Sequence, residues 1–329
     1  MDRTAKRQAH YHQAQLKNLS GMKILLFGAN GQVGWELQRS LSPLGELIAL
    51  DRRGSDSGTS KLTGLCGDLT NLAGITATVQ RVRPDVIVNA AAYTAVDKAE
   101  SDFHNAHLIN ALAPDALAKA AASVGAWLAH YSTDYVFDGS GNQPWVETDA
   151  TGPLSVYGST KLEGEQRIAG ACAKHLIFRT SWVYAARGGN FAKTMLRLAQ
   201  ERDTLNVIND QFGAPTGADL LADVTAHAIK HVINDLTDAG IFHVAAEGET
   251  TWFDYAKYVI AESELSPSAP LIVAKTINPV ATSAFPTAAK RPQNCRLNTA
   301  RLSCSFGLQL PQWQAGVKRM LAESIPIKT

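Results

Sequence analysis

Five short apolar runs punctuate the first part of the chain: Lys23-Ile24-Leu25-Leu26-Phe27, Leu47-Ile48-Ala49-Leu50, Val86-Ile87-Val88-Asn89, Trp127-Leu128-Ala129-His130 and Leu176-Ile177-Phe178-Arg179. They are continuous rather than alternating, which predicts strands buried on both faces. Between them the apolar positions take a helical period, as in Gln32 to Leu41 and the alanine-rich stretch Ala106 to Ala122. Strands of this kind alternating with helices predict an α/β fold with a parallel sheet covered on both sides. Right-handed crossovers then make the sheet doubly wound.

The alternation loosens after about Tyr184, where prolines become denser: Pro267, Pro270, Pro279, Pro286, Pro292, Pro311 and Pro326. This region reads as a smaller lobe with elements returning to the sheet, notably a helix around Ala218–Ile233 and a strand at Ile241–Val244. Gly54 to Lys61 is a Gly/Ser-rich loop without periodicity, and residues 1–21 form a polar extension ahead of Met22. No internal repeat is visible.

Composition narrows the function classes. With 45% hydrophobic and 19% charged residues, the 329-residue chain can bury a sizeable core. The formal net charge is +1, and the first 21 residues carry four basic side chains against one acidic, leaving the body at −2. Such a body has no electrostatic footprint for nucleic acid or an anionic membrane, so neither partner is expected. No apolar run reaches the roughly 18 residues of a membrane helix. The extension lacks the apolar stretch of a secretory signal. Four cysteines (Cys66, Cys172, Cys295, Cys304) form no CxxC pair, which suits reduced thiols in a cytoplasm.

The chemistry starts where the first strand meets the first helix. Gly28-Ala29-Asn30-Gly31-Gln32-Val33-Gly34 puts glycines where a backbone can approach a pyrophosphate, next to the unpaired N–H groups of a helix start. Asp51 closes the second strand 20 residues beyond Gly31, where an acidic side chain holds an adenosine ribose. Arg52 and Arg53 follow it and could accommodate a 2′-phosphate, so both NADH and NADPH remain open. Further along, Tyr157 and Lys161 stand at i and i+4 on one helix face. A nearby ammonium favours the phenolate, the shift a tyrosine acid–base needs. Thr133 lies 24 residues before Tyr157, directly after the run Trp127–His130, and its hydroxyl can bond a carbonyl oxygen that becomes an alkoxide.

Phosphate loop, hydroxyl, tyrosine and lysine in this order resemble the extended short-chain dehydrogenase/reductase family. Longer strings sharpen the resemblance: Asn89-Ala90-Ala91-Ala92-Tyr93-Thr94-Ala95-Val96-Asp97-Lys98-Ala99-Glu100, Ser132-Thr133-Asp134-Tyr135-Val136-Phe137-Asp138-Gly139, Phe178-Arg179-Thr180-Ser181-Trp182-Val183-Tyr184, Asn209-Asp210-Gln211-Phe212-Gly213-Ala214-Pro215-Thr216 and Arg291-Pro292-Gln293-Asn294 with Leu297-Asn298. These are similar to the dTDP-4-dehydrorhamnose reductase family, from Met22 to roughly Leu321.

The resemblance implies a Rossmann-like fold and NAD(P)H-dependent reduction of the C4 ketone of dTDP-4-dehydro-6-deoxy-L-mannose to dTDP-L-rhamnose. It implies that Gly31, Gln32 and Val33 touch the pyrophosphate, with Gly28 and Gly34 shaping the turn, and that Asp51 holds the ribose. Asp68 and Leu69 would flank the adenine, while Ala92, Tyr93 and Thr94 would line the nicotinamide side. Tyr93 stands where a histidine is common. Tyr157 would donate the proton, and Lys161 would bind the nicotinamide ribose and depress the tyrosine pKa. Thr133 and Asp134 would hold the sugar, Trp182 would pack against it, and Arg291 would meet the diphosphate. A homodimer is implied, with Mg2+ at a subunit contact and Glu36, Asp219 and Glu323 as candidate ligands. The implied division is a dinucleotide-binding domain at 22–183 and a mainly substrate-binding lobe at 184–329. Segments near 204–233 and 241–246 of the lobe return to the first domain.

Two other readings stay open: a nucleotide-sugar epimerase or dehydratase of the same extended family, and a non-catalytic dinucleotide-binding regulatory subunit. A dehydratase would want an acidic pair, but Asp134 is followed by Tyr135. His227 and His231 have metal-ligand spacing but suggest no third ligand, and read as boundary histidines. Trp252, Phe253, Tyr255 and Tyr258 read as core packing.

Overall fold

The computed structural model describes residues 21–53, 63–233, 239–265 and 270–324. Residues 1–20 of the expected extension and the Gly54–Lys61 loop lie outside the described residues. The strands are β1 (Lys23–Phe27), β2 (Glu46–Leu50), β3 (Val86–Asn89), β4 (Trp127–Thr133), β5 (His175–Thr180), β6 (Thr204–Ile208), β7 (Gly240–His243) and β8 (Thr276–Val280). Two-residue pairings complete the set. Six of them form one sheet in the order β7-β5-β4-β3-β1-β2, with every neighbour parallel. All carboxyl ends therefore lie along one edge.

Consecutive strand residues face opposite sides, and both sides are apolar, so each strand feeds two cores. Ile24, Leu26, Val88 and Phe178 pack with α1 (Gln32–Leu41) and α6 (Ala218–Val232) through Leu37, Leu221 and Ile229. Leu25, Phe27, Ile87 and Ile177 pack with α2 (Leu72–Val82), α3 (Ala113–Val124) and α4 (Val156–Ala171) through Ile75, Val79, Leu117 and Ile168. A third core joins α5 (Phe191–Glu201), α7 (Trp252–Glu264) and α9 (Trp313–Ser324) through Leu196, Tyr255, Val259 and Val317, with Leu205 of β6. A short helix, α8 (Ala300–Phe306), precedes α9.

Two elements differ from the sequence reading. β4 runs three residues past His130, because Tyr131, Ser132 and Thr133 pair with Phe178, Arg179 and Thr180 of β5. The helix expected over Ala106–Ala122 is broken: Phe103–His107 leads into a wide π turn at Leu108–Leu112 before α3 begins. Pro114 has no N–H to give Asn110 four residues earlier, so the regular ladder cannot continue there. The Asn110 side chain, inside this turn, bonds the Tyr93 main chain and Thr160.

Candidate active site

The glycine loop sits at the carboxyl end of β1. Gly28 has φ +84°, and the N–H groups of Gly28 and Ala29 both donate to Leu50 O at the end of β2 (2.9 and 3.0 Å). A Cβ on Gly34 would lie 2.0 Å from Gly28 O, so only glycine lets α1 start this close to the turn. At Gly31 a Cβ would meet only Gly28 O, at 3.4 Å. Gly31 is also the N-cap of α1, and no side chain caps that helix. Its first N–H groups and the dipole therefore face a position suited to an anion. The Gln32 amide reaches across to Gly189 O at 2.7 Å, which ties the start of α1 to the 185–190 loop. Val33 is half-buried at the edge of the first core.

Asp51 lies beside this loop, accepting from Asn30 Nδ2 (2.5 Å) and Arg53 N (2.7 Å). Arg52 is 82% exposed and stands 3.8 Å from Asp68, whose carboxylate also takes Thr70 N and Oγ1. The Leu69 side chain is buried in the second core, so only its main chain is available to a ligand. Ala92, Tyr93 and Thr94 follow β3. Asn110 of the π turn clamps this segment, accepting from Tyr93 N (2.9 Å) and donating to Tyr93 O (3.1 Å). The Tyr93 phenol donates to Asp102 at 2.9 Å.

Across from the loop, Ser155 caps α4 by accepting from Gly158 N, which sets Tyr157 in the first turn. Thr133 stands close enough to the Tyr157 phenol to act on it, while its hydroxyl donates to Asp134 Oδ1 at 3.1 Å, and the Tyr157 ring meets Tyr135 edge-on at 5.7 Å. Burial pushes the Tyr157 phenol up to about 12, against a smaller lowering from Thr133 and a further rise from Asp134. Lys161, expected to depress it, is not among the groups that move it here. The Lys161 ammonium is turned away, donating to Tyr131 O (2.5 Å) and standing 3.1 Å from His130 Nε2. Burial brings Lys161 itself down to about 8, with the nearby Glu165 charge opposing the shift. Asp134 is buried beside Thr133 and the Cys295 thiol, and burial raises its carboxyl to about 6.

Trp182 has φ +49°, uncommon for a bulky residue, and stacks on Trp252 with ring centres 3.6 Å apart. One side of the expected sugar platform is thus covered by Trp252, which also packs against the third core through Phe191 and Tyr255. Arg291 is not a free cation. Its fork closes on Asp97 at 2.7 and 3.1 Å, which raises Arg291 and holds the Asp97 carboxyl low.

The family described as RmlD substrate binding domain matches residues 22–325. The dTDP-4-dehydrorhamnose reductase of Escherichia coli (strain K12) is 60% identical over 302 residues, 92% of this chain and 98% of that protein. The enzyme of that name from Salmonella typhimurium (strain LT2) is 59% identical over 309 residues, 94% and 100%. The chain belongs to the dTDP-4-dehydrorhamnose reductase family. A crystal structure of the Bacillus anthracis member in complex with NADP matches with TM-score 0.79 at 34% identity, covering 92% of this chain and 99% of that one.

Family resemblance also brought Mg2+ into view, and the residues present do not fit it. Arg319 stands among the three candidate carboxylates, 3.4 Å from Asp219 and 2.9 Å from Glu323, with Glu36 adding to its field. A guanidinium already carries the positive charge there, and no group of three metal-ligating side chains occurs among the described residues. His227 bonds Phe306 O, as a boundary histidine would. No helix among the described residues is long and apolar enough to cross a membrane.

Sequence reasoning missed Asn110, His130 and the Arg179–Glu165 pair. The pair is a buried fork at 2.7–3.2 Å, with Arg179 also over the Phe137 ring. The signal for His130 was present: a polar residue closing an otherwise apolar strand run.

Proposed function

We propose that this chain reduces the C4 ketone of dTDP-4-dehydro-6-deoxy-L-mannose to dTDP-L-rhamnose, with NADPH or NADH as reductant. The observation that carries the reading is Thr133 brought beside Tyr157 at the carboxyl edge of the sheet, next to an uncapped glycine-loop helix. Family membership supports the identity of the sugar.

The dinucleotide supplies hydride. The Gly28–Gly34 turn, with Gln32 and Val33, seats its pyrophosphate. Asp51 holds the adenosine ribose, with Arg52 beside it for a 2′-phosphate. Asp68, the main chain of Leu69, and Ala92, Tyr93 and Thr94 complete the cofactor side. Thr133 and Tyr157 converge on the ketone oxygen. As hydride reaches the carbon, charge grows on that oxygen, and Tyr157 passes its proton to it. A phenol raised to about 12 is fully protonated at neutral pH, the form a reduction requires. Asp134 and Trp182 bound the sugar, and Arg291 reaches the diphosphate only if Asp97 shares it. The proposal includes a homodimer in a cytoplasmic setting and leaves out Mg2+.

The test is nicotinamide absorbance after mixing the protein with NADPH, then NADH, and substrate generated in situ. Oxidation matched by dTDP-L-rhamnose supports the reading and ranks the cofactors. No oxidation, in protein shown to bind the dinucleotide, overturns it.

A further inference from the structure

Beneath the site a buried polar chain crosses three elements. His130 of β4 is 1% exposed, in register with Asn89 of β3. Its Nδ1 lies 3.1 Å from Asn89 Nδ2, and its Nε2 lies 3.1 Å from Lys161 Nζ of α4. Asn89 Oδ1 in turn accepts from Ala91 N at 3.2 Å, in the segment that touches the glycine loop.

The hydrogen atoms in this chain must balance. A main-chain N–H only donates, so Asn89 presents its oxygen to Ala91 and its NH2 to the ring. Nδ1 then carries a lone pair, and the single proton of a neutral imidazole sits on Nε2, facing Lys161. Lys161 can accept it only as an uncharged amine. An ammonium at Lys161 needs the opposite order: a lone pair on Nε2, a proton on Nδ1, and Asn89 turned with its oxygen to the ring, which gives up the Ala91 bond. The chain has two orders, the second one hydrogen bond poorer at Ala91, and the charge on Lys161 selects between them.

Resting on the reductase reading for its functional meaning, we propose that His130, backed by Asn89, is a positioning residue that seats Lys161 and changes tautomer with its protonation. The imidazole itself stays neutral, because burial and the adjacent Lys161 charge hold its pKa well below the ordinary histidine value. The other groups facing Lys161 are Glu165, on its own helix and paired with Arg179 of β5, and the Tyr131 carbonyl of β4, with Tyr157 one turn before on the same helix but not in contact with the ammonium. β3 contributes the neutral amide of Asn89.

Two measurements test this on the full chain. In protein labelled with 15N-histidine, long-range 1H–15N spectra read the His130 tautomer, with His130→Gln assigning the signal. At about pH 9.5 the proton should be on Nε2, and at about pH 6.5 on Nδ1, either side of the Lys161 value near 8. One tautomer throughout, or a charged ring, overturns the proposal. In turnover, His130→Leu should lower kcat about tenfold or more with sugar KM within about twofold, as for one lost hydrogen bond to a charged group. His130→Gln, whose amide can donate or accept at the Nε2 position, should recover most of it. Wild-type kcat in His130→Leu, or equal losses in both variants, would reduce His130 to packing. If His130→Leu does not fold, the spectra and the glutamine variant still decide. Failure of the wild type to oxidise NAD(P)H would sink the reductase reading, while the tautomer spectra judge His130 separately.

Discussion

Gly31 and Gly34 sit three residues apart in one loop and should fail in different ways when given a methyl group. At Gly34 the new Cβ falls 2.0 Å from Gly28 O and 2.7 Å from Gly28 C. Restoring ordinary contact at 3.4 Å requires α1 to move off the turn by about 1.4 Å. Overpacking of this kind costs about 1–3 kcal/mol, and for a domain this large about 2–4 °C of Tm per kcal/mol. The same movement displaces the helix start, so the dinucleotide loses main-chain bonds worth about 1.5–3 kcal/mol each, roughly tenfold to a hundredfold in Kd.

Gly31 is the control that separates stability from function. Its φ of −70° suits alanine, and the added Cβ meets only Gly28 O at 3.4 Å. Losing a glycine N-cap costs at most about 1 kcal/mol, so Gly31→Ala should keep Tm within a few degrees. What it should lose is about tenfold or more in dinucleotide affinity, because the methyl occupies space meant for phosphate. The assay is thermal unfolding by circular dichroism beside calorimetric titration with NADPH. If Gly31→Ala binds NADPH like the wild type, this loop is not the pyrophosphate site.

Three further outcomes follow from the same geometry. Tyr157→Phe should cut turnover by about 10²–10⁴ while leaving NADPH affinity within about twofold, read by stopped-flow absorbance and titration; near-normal turnover would remove Tyr157 as the acid. Glu165→Gln should destabilise by about 3–5 kcal/mol in urea unfolding, because Arg179, 3% exposed, would lose its charged partner; a cost below about 1 kcal/mol would show that the pair does not hold β5 to α4. Asp134 is raised from 3.8 to about 6, so the folded state binds its proton more tightly and the buried charge penalises stability above about pH 6 but not below about pH 4. Asp134→Asn should therefore stabilise by up to about 3 kcal/mol at pH 8 and be neutral at pH 4, and equal increments at both pH values would refute the burial argument.

Much of this was legible before any coordinates, for a physical reason. Strand runs such as Ile24–Phe27 and the turn Gly28–Gly34 are local, and their chemistry depends on neighbours a few residues away. Tyr157 and Thr133 were legible because a parallel sheet gathers strand ends on one edge. What escaped the reading depends on register and distance. His130 meets Lys161 only because β4 pairs with β3 at Asn89. Arg291 is claimed by Asp97 from 194 residues away, and Trp182 meets Trp252 from another core. The π turn at Asn110 follows from Pro114, a proline the alanine-rich periodicity had absorbed.

The distribution of unsatisfied polar atoms argues independently for where the chemistry sits. Among the described residues seven buried side-chain atoms lack a hydrogen-bond partner: Ser132 Oγ, Asp134 Oδ2, Thr180 Oγ1 and Ser181 Oγ near the ends of β4 and β5, and His243 Nε2, Tyr255 Oη and Gln314 Oε1 elsewhere. Each such atom costs about 1–3 kcal/mol, and replacing serine by alanine would remove the penalty at once. A chain under selection for stability alone would not concentrate four of them where β4 and β5 end. They lie at the sheet edge that also carries Thr133, and a rearrangement that admitted a hydroxyl-rich sugar would offer partners they lack. Serine-to-alanine exchange at Ser181 should therefore raise Tm slightly while weakening sugar KM, whereas an exchange that left KM unchanged would assign that oxygen to the fold instead.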